Sequence, residues 1–180
     1  MEDIQILVFD EDYLGLADSF KVSPNLCRNP VYYEMYLSRQ ALDDQKNGKC
    51  VTHIIARINS SGQADKIIGY ITLCASSLNI RNNKDDFGSH SAIKIEYIAI
   101  DTHFERHGFG TILLKYAITE IADELRQKYV GVKYIVTCAD PDAVRFYSNY
   151  GFELCDDKYD VSNNSQNVNM YWELPDNEHD

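Results

Sequence analysis

The sequence predicts a mixed α/β fold of the α+β kind, and three observations carry that prediction. Runs of period-two alternation recur from Ile4 to Leu174, and at Gly108 the period changes to that of a helix. The length of 180 residues is on the order of one domain, enough to bury roughly 70% of the unfolded chain's surface. Apolar residues make up 44% and charged residues 25%, ordinary for a folded chain and unlike disorder. A single domain over 1–180 is expected, with no internal repeat.

Ile4, Ile6 and Val8 alternate in the opening strand, Ile4 to Phe9, and Glu11 to Phe20 is helix-prone. Asn29-Pro30 offers an N-cap residue and a proline at the first helical position, with Gly48 as the stop, so a helix of about five turns is expected. Val51 to Ile58 places Thr52, Ile54, Ala56 and Ile58 on one face. Ser60-Ser61-Gly62-Gln63 is turn chemistry and Lys66 to Ala75 the returning strand, which together read as an antiparallel hairpin. Ser77 to Ser91 is rich in Asn, Asp and Ser, anchored only by Leu78, Ile80 and Phe87, and reads as an inserted mobile loop at about 77–91.

Ala92 to Asp101 resumes the alternation, with Ile93, Ile95, Tyr97 and Ala99 on one face and Lys94, Glu96, Ile98 and Ile100 on the other. From Gly108 a helical stripe runs through Phe109, Ile112, Leu113, Tyr116, Ala117, Ile121 and Leu125 until Gly131. Val132 to Cys138 is a further strand. Asp140-Pro141 again supplies an N-cap and a first-turn proline, before a short helix ending at Gly151. Phe152 to Cys155 and Val168 to Leu174 complete the set, and the acidic tail 176–180 is expected to fray.

No apolar run reaches the roughly 18 residues of a membrane span, and Met1-Glu2-Asp3 lacks the basic start of a signal peptide, so a cytoplasmic location without a membrane partner is expected. The net charge of −11 argues against broad adhesion to nucleic acid or anionic lipid, while leaving room for a local basic groove. Cys27, Cys50, Cys74, Cys138 and Cys155 are odd in number, scattered and without a CxxC pair. Neither a disulfide nor a zinc site is expected from them, and no other metal site; Cys74 and Cys138, inside apolar strands, are expected as core thiols.

Strand, glycine-bearing turn, long helix is the order that carries chemistry. Gly108 and Gly110 stand where the strand hands over to the helix, and their backbone N–H groups can converge on an anion without a Cβ in the way. Tight turns into helices also use glycine for steric reasons alone. The dinucleotide fingerprint requires a third glycine about three positions later, where Leu113 stands.

The run Ile95-Glu96-Tyr97-Ile98-Ala99-Ile100, followed by Glu105-Arg106-His107-Gly108-Phe109-Gly110-Thr111, resembles the signature of the GNAT (GCN5-related) N-acetyltransferases. In that family a strand precedes Arg/Gln-x-x-Gly-x-Gly/Ala and a long helix. A second family motif, Ala-x-x-Phe-Tyr-x-x-x-Gly-Phe, stands here as Ala143 to Phe152, with Phe146 and Tyr147 at its centre. The resemblance covers nearly the whole chain. It implies a mixed, mostly antiparallel central sheet of about six to seven strands flanked by about four helices. It also implies acetyl-CoA as co-substrate, with acetyl transfer to a primary amine by direct attack on the thioester.

By the same resemblance, backbone groups of Ile98, Ala99 and Ile100 would receive the pantetheine arm and thioester. Glu105, Arg106, His107, Gly108, Phe109, Gly110 and Thr111 would hold the diphosphate, with Phe146 also on the cofactor side. Glu105 departs from the family's Arg or Gln; a carboxylate about 8 Å from a phosphate charge costs only about 0.5 kcal/mol in water. Arg106 can supply a cation one position later. Tyr147 matches the position that hydrogen-bonds the departing sulfur, against the plainer reading of helix packing with Phe146 and Tyr150. A full proton transfer from tyrosine, pKa about 10, to a thiolate of about 8.5 is uphill by roughly 2 kcal/mol. Glu96 matches the carboxylate that takes the amine's proton, against the plainer reading of a solvated charge or a partner for Lys94.

The stretches Tyr36 to Gln45 and Ile68-Gly69-Tyr70-Ile71-Thr72-Leu73 are similar to the GNAT toxins of bacterial toxin–antitoxin pairs. That similarity implies aminoacyl-tRNA as acceptor and an antitoxin as partner. A small-molecule or peptide amine is the broader expectation, and a non-catalytic acyl-CoA-binding module is a third reading, kept open by Glu105. The Tyr-rich helix at 32–36 and the C-terminal strand make a homodimer a further expectation.

Overall fold

The computed structural model describes residues 3–25, 27–81, 87–155 and 166–175. Seven strands form one sheet in the order β1-β2-β3-β4-β5-β7-β6: β1 Asp3–Val8, β2 Val51–Ile58, β3 Ala64–Arg81, β4 Phe87–Ile100, β5 Tyr134–Ala139, β6 Glu153–Leu154 and β7 Val168–Glu173. The pairs β1–β2, β2–β3, β5–β7 and β6–β7 run antiparallel. The chain divides into two compact units, the first of Met1–Cys74 with Ile95–Lys115 and the second of Ala75–Lys94 with Tyr116–Asp180. Strands β3 and β4 each contribute residues to both units.

In the first unit, α1 (Leu14–Ala17) follows a 3-10 turn, Glu11–Tyr13, capped by Asp10, whose carboxylate accepts from the Asp12 N–H. The helix thus stops three residues short of Phe20. A second helix runs from α2 (Pro30–Met35) through a π turn, Tyr36–Gln40, into α3 (Ala41–Lys46), and Gly48 ends it with φ +67°. Asn29 precedes Pro30 as expected but makes no side-chain cap bond; proline at the first position has already removed one of the unsatisfied N–H groups a cap would serve. The π turn buries Tyr36 and Leu37. They join Phe9, Phe20, Ile54, Ile67 and Tyr70 in the core of this unit.

Two expectations fail on β2 and β3. Cys50 and Cys74 form a disulfide, with Cα atoms 4.5 Å apart. The register that opposes Val51 to Leu73 brings the two cysteines face to face at the next step, a relation that spacing along the chain does not display. Beyond Cys74, β3 continues to Arg81 and β4 begins at Phe87, so the described parts of 77–91 are strand rather than loop. A strand's ladder is made by backbone, and polar side chains on its exposed positions do not prevent it. Leu78 and Ala92 supply buried positions and form a core cluster with Tyr134 and Val136 of β5 in the second unit. Residues 82–86 and the tail 176–180 lie outside the described residues.

The helix after the glycine turn begins as α4 (Phe109–Tyr116), passes a π turn, Ala117–Ala122, and ends as α5 (Asp123–Lys128). Its buried positions are Leu113, Leu114, Ala117, Ile118 and Ala122, whereas Ile112 of the expected stripe is 47% exposed. Ile112 precedes the π turn, where burial centres on Leu113, Leu114 and Ala117; further on, the extra residue of the π turn puts Ala122 rather than Ile121 at the buried position. Cys138 is also corrected: it lies on β5 but is exposed, while Val136 and Ala139 turn inward.

Candidate active site

In the first unit the site begins where Gly69 of β3 lies against the end of β4. A Cβ on Gly69 would sit 2.5 Å from Ile100 Cδ1 and 2.9 Å from the Ala99 carbonyl oxygen, so only glycine fits there. Ala99 is buried, and Ile98, Ile100 and Glu96 are half-buried. The strand closes with Asp101, whose N–H donates to the Ile68 carbonyl at 2.8 Å.

Asp101 is fully buried, and its carboxylate is crowded with donors. One oxygen accepts from the Lys21 N–H at 3.1 Å and from Lys66 Nζ at 3.1 Å; the other accepts from the His103 N–H at 3.0 Å and pairs with His103 Nδ1 at 2.8 Å. Burial alone would raise this carboxyl's pKa, but the hydrogen bonds from His103, Lys21 and Lys66 together outweigh it and hold it below the usual carboxylate value. Sequence reading gave Asp101 no part; its donors Lys21 and Lys66 are remote in the chain, and no spacing announces them.

The turn that follows is folded by backbone geometry. Arg106 has φ +62° and Gly108 φ +85°, two left-handed residues on either side of His107. For arginine that conformation costs roughly 1–2 kcal/mol. Successive N–H groups in such a turn converge into an anion-binding concavity. The Gly108 carbonyl accepts the first helical bond, from Ile112 N–H at 3.1 Å. Phe109, Gly110 and Thr111 therefore carry N–H groups of the first helical turn, which lack intrahelical acceptors. His107 Nδ1 bonds the Glu105 carbonyl oxygen at 2.8 Å, and Phe104 meets Phe109 edge-to-face at 6.2 Å, bracketing the turn. Arg106 is exposed and Glu105 half-buried.

A tyrosine cluster occupies the same unit. Tyr97, on β4 beside Glu96, bonds the Tyr32 hydroxyl at 2.8 Å and packs its ring 4.0 Å from that of Tyr36. Burial, the Tyr32 bond and nearby charge, Glu96 among it, raise the Tyr97 hydroxyl's pKa strongly. Tyr70 donates to the Tyr33 carbonyl at 3.0 Å. Of the tyrosines at 32–36, Tyr36 is thus spent on the core, while Tyr32 remains 51% exposed.

Tyr147 and Phe146 belong to the second unit. Asp140 caps the 3-10 turn Pro141–Ala143, accepting from the Asp142 N–H at 3.0 Å, and helix α6 (Val144–Tyr150) follows. Gly151, at φ +110°, ends it and turns the Phe152 N–H back to the Tyr147 carbonyl at 3.0 Å. Tyr147 is 3% exposed, its ring edge-to-face with Phe146 at 5.1 Å and with Phe152 at 5.3 Å. The motif is therefore also a packing unit, held against Trp172 by Phe152 and Tyr150. Among the described residues no three His, Cys, Asp or Glu side chains gather where they could hold a metal ion.

Solved structures share this fold at low sequence identity. AtaT complexed with acetyl-methionyl-tRNAfMet is 16% identical, with a TM-score of 0.74 over 95% of each chain. AtaTR bound with AcCoA is 19% identical, with a TM-score of 0.72 over 97% of this chain and 95% of that one. An AtaT mutant bound to the C-terminus of the antitoxin AtaR is 17% identical, with a TM-score of 0.70 over 96% and 93%. No curated protein matches the sequence. The family described as acetyltransferase (GNAT) domain matches residues 50–154, more than half the chain and both motifs. The chain belongs to the GNAT acetyltransferase-domain family.

Proposed function

We propose that this protein is an N-acetyltransferase that moves an acetyl group from acetyl-CoA to a primary amine. The observation that carries the reading is the left-handed turn at Arg106 and Gly108 opening α4, an anion cradle made of backbone N–H groups at a helix N-terminus. Glu105, Arg106, His107, Gly108, Phe109, Gly110 and Thr111 hold the diphosphate in this reading, with Arg106 as the cation that offsets Glu105. Ile98, Ala99 and Ile100 offer backbone groups to the pantetheine arm, with Phe146 on the cofactor side.

The amine nitrogen attacks the thioester carbonyl; the tetrahedral intermediate collapses as the carbon–sulfur bond breaks and coenzyme A leaves as thiolate. Glu96 accepts the proton the amine loses, and Tyr147 stabilises the thiolate by donating a hydrogen bond. Purified protein with acetyl-CoA and a panel of amines and peptides should release thiol and shift acceptor mass by one acetyl group. Tyr147→Phe keeps the ring's packing and should lower kcat by roughly a hundredfold while leaving KM for acetyl-CoA unchanged. Thiol release that is insensitive to this change would remove Tyr147 from the chemistry.

A second reading has aminoacyl-tRNA as the acceptor and an antitoxin as partner. What favours it is the likeness of 95–97% of the chain to AtaT structures, one complexed with acetyl-methionyl-tRNAfMet and one bound to an antitoxin. The charge of −11 weighs against it, since tRNA contact wants a basic groove.

A further inference from the structure

We infer that Asp101 is a positioning residue for the diphosphate turn: it does not touch the cofactor but fixes the backbone that does. The inference rests on the acetyl-CoA reading of the turn. A fully buried carboxylate is costly unless its oxygens are satisfied, and an apolar residue of similar size would serve stability as well or better. Here both oxygens are spent on tying separate segments to one point. Lys21 comes from the chain after α1, Lys66 from β3, and His103 from the turn itself. The backbone reinforces the knot, with Asp101 N–H to Ile68, Thr102 N–H to Lys21 and Phe104 N–H to Asp101, each at 2.8 Å.

What this knot holds is the strained part. A left-handed arginine persists only where its surroundings over-determine it. The turn from Glu105 to Gly108 is pinned at its start by Asp101 and closed over its end by the Phe104–Phe109 contact. If the knot loosens, Arg106 can relax out of its left-handed state and the N–H groups cease to converge.

The sign of the effect separates this role from plain electrostatics. Removing the negative charge of Asp101, and freeing the ammonium of Lys66, would by charge alone draw a diphosphate closer. Positioning demands the opposite. Calorimetric titration of the wild-type chain and Asp101→Asn with coenzyme A, and with pantetheine, which lacks the diphosphate, reads both terms. Asp101→Asn should weaken coenzyme A about tenfold and pantetheine less than twofold, so that the gap between the two ligands narrows. His103→Ala removes one donor from the carboxylate at a side chain that is 73% exposed, so the fold is not at stake; it should weaken coenzyme A about threefold, again sparing pantetheine. Tighter or unchanged coenzyme A binding in folded Asp101→Asn would overturn the inference alone, as would equal weakening of both ligands. A wild-type chain with no affinity for coenzyme A would overturn it together with the acetyl-CoA reading.

Discussion

At Gly108 the backbone, and not crowding, demands glycine: φ is +85° and an added Cβ would meet nothing within 4 Å. Gly108→Ala should therefore cost roughly 1–2 kcal/mol, read from the urea midpoint, and should weaken coenzyme A by altering the turn. Gly69 is the converse case, required by contact with Ile100 and Ala99 at an ordinary φ. Sequence could locate the first glycine through its motif but gave no sign that Arg106 is left-handed, because arginine takes that state only under tertiary constraint. Asp101 was less legible still, since Lys21 lies 80 residues away. Its depressed pKa has a thermodynamic consequence. A carboxyl whose folded pKa is below its unfolded value adds stability above about pH 4, and that stability is lost as pH falls through the folded value. Melting curves from pH 6 to pH 2 should show a shallower acid decline in Asp101→Asn than in the wild type, and parallel curves would mean that the carboxylate carries no net coupling.

The hairpin of β2 and β3 gives the clearest element-scale test. The Cys50–Cys74 bridge closes a separation of 24 residues, which the chain-entropy view values at about 3.5 kcal/mol. Thermal unfolding with and without dithiothreitol should differ by that order, and Cys74→Ser should match the reduced protein; identical melts would mean the thiols are not joined in solution. Alternation revealed this hairpin in the sequence, and its register determines the pairing, but the register itself needs the turn and the bulges near Ile55 and Ile58. The outer part of β3 and β4 was illegible for another reason. Ser, Asn and Asp make up eight of the fifteen residues from 77 to 91, and composition reads as loop, whereas Leu78 and Ala92 seat two backbones that already bond to one another. Helix ends were more readable: Asp140 caps through its side chain as expected, and Gly48 and Gly151 both stop helices at positive φ, whereas Asn29 makes no cap bond and the cap by Asp10 was not foreseen.

Over the whole molecule, the acidic balance sets the experiment that chooses between acceptors. If aminoacyl-tRNA is the acceptor, incubation of charged tRNA with acetyl-CoA should yield an acetylated α-amine, with a rate that falls steeply as salt rises from 50 to 200 mM, about 10³-fold for six phosphate contacts. Transfer to small amines should hardly respond to salt. Charged tRNA that stays unmodified at low salt would remove that acceptor. The family was legible because its two motifs are local in sequence and each is a self-contained turn into a helix. The tyrosine cluster around Tyr97 was not, because its members come from α2, the π turn after it, β3 and β4 and follow no common spacing.

Both long helices contain a π turn, at Tyr36–Gln40 and at Ala117–Ala122, and so each carries one amino acid beyond what an unbroken α-helix would need to join the same end points. Their natural mode of divergence is therefore deletion. Excising a single codon from either turn would let it revert to regular winding without moving the flanking anchors, whereas the same loss elsewhere in those helices would rotate every later side chain by about 100°.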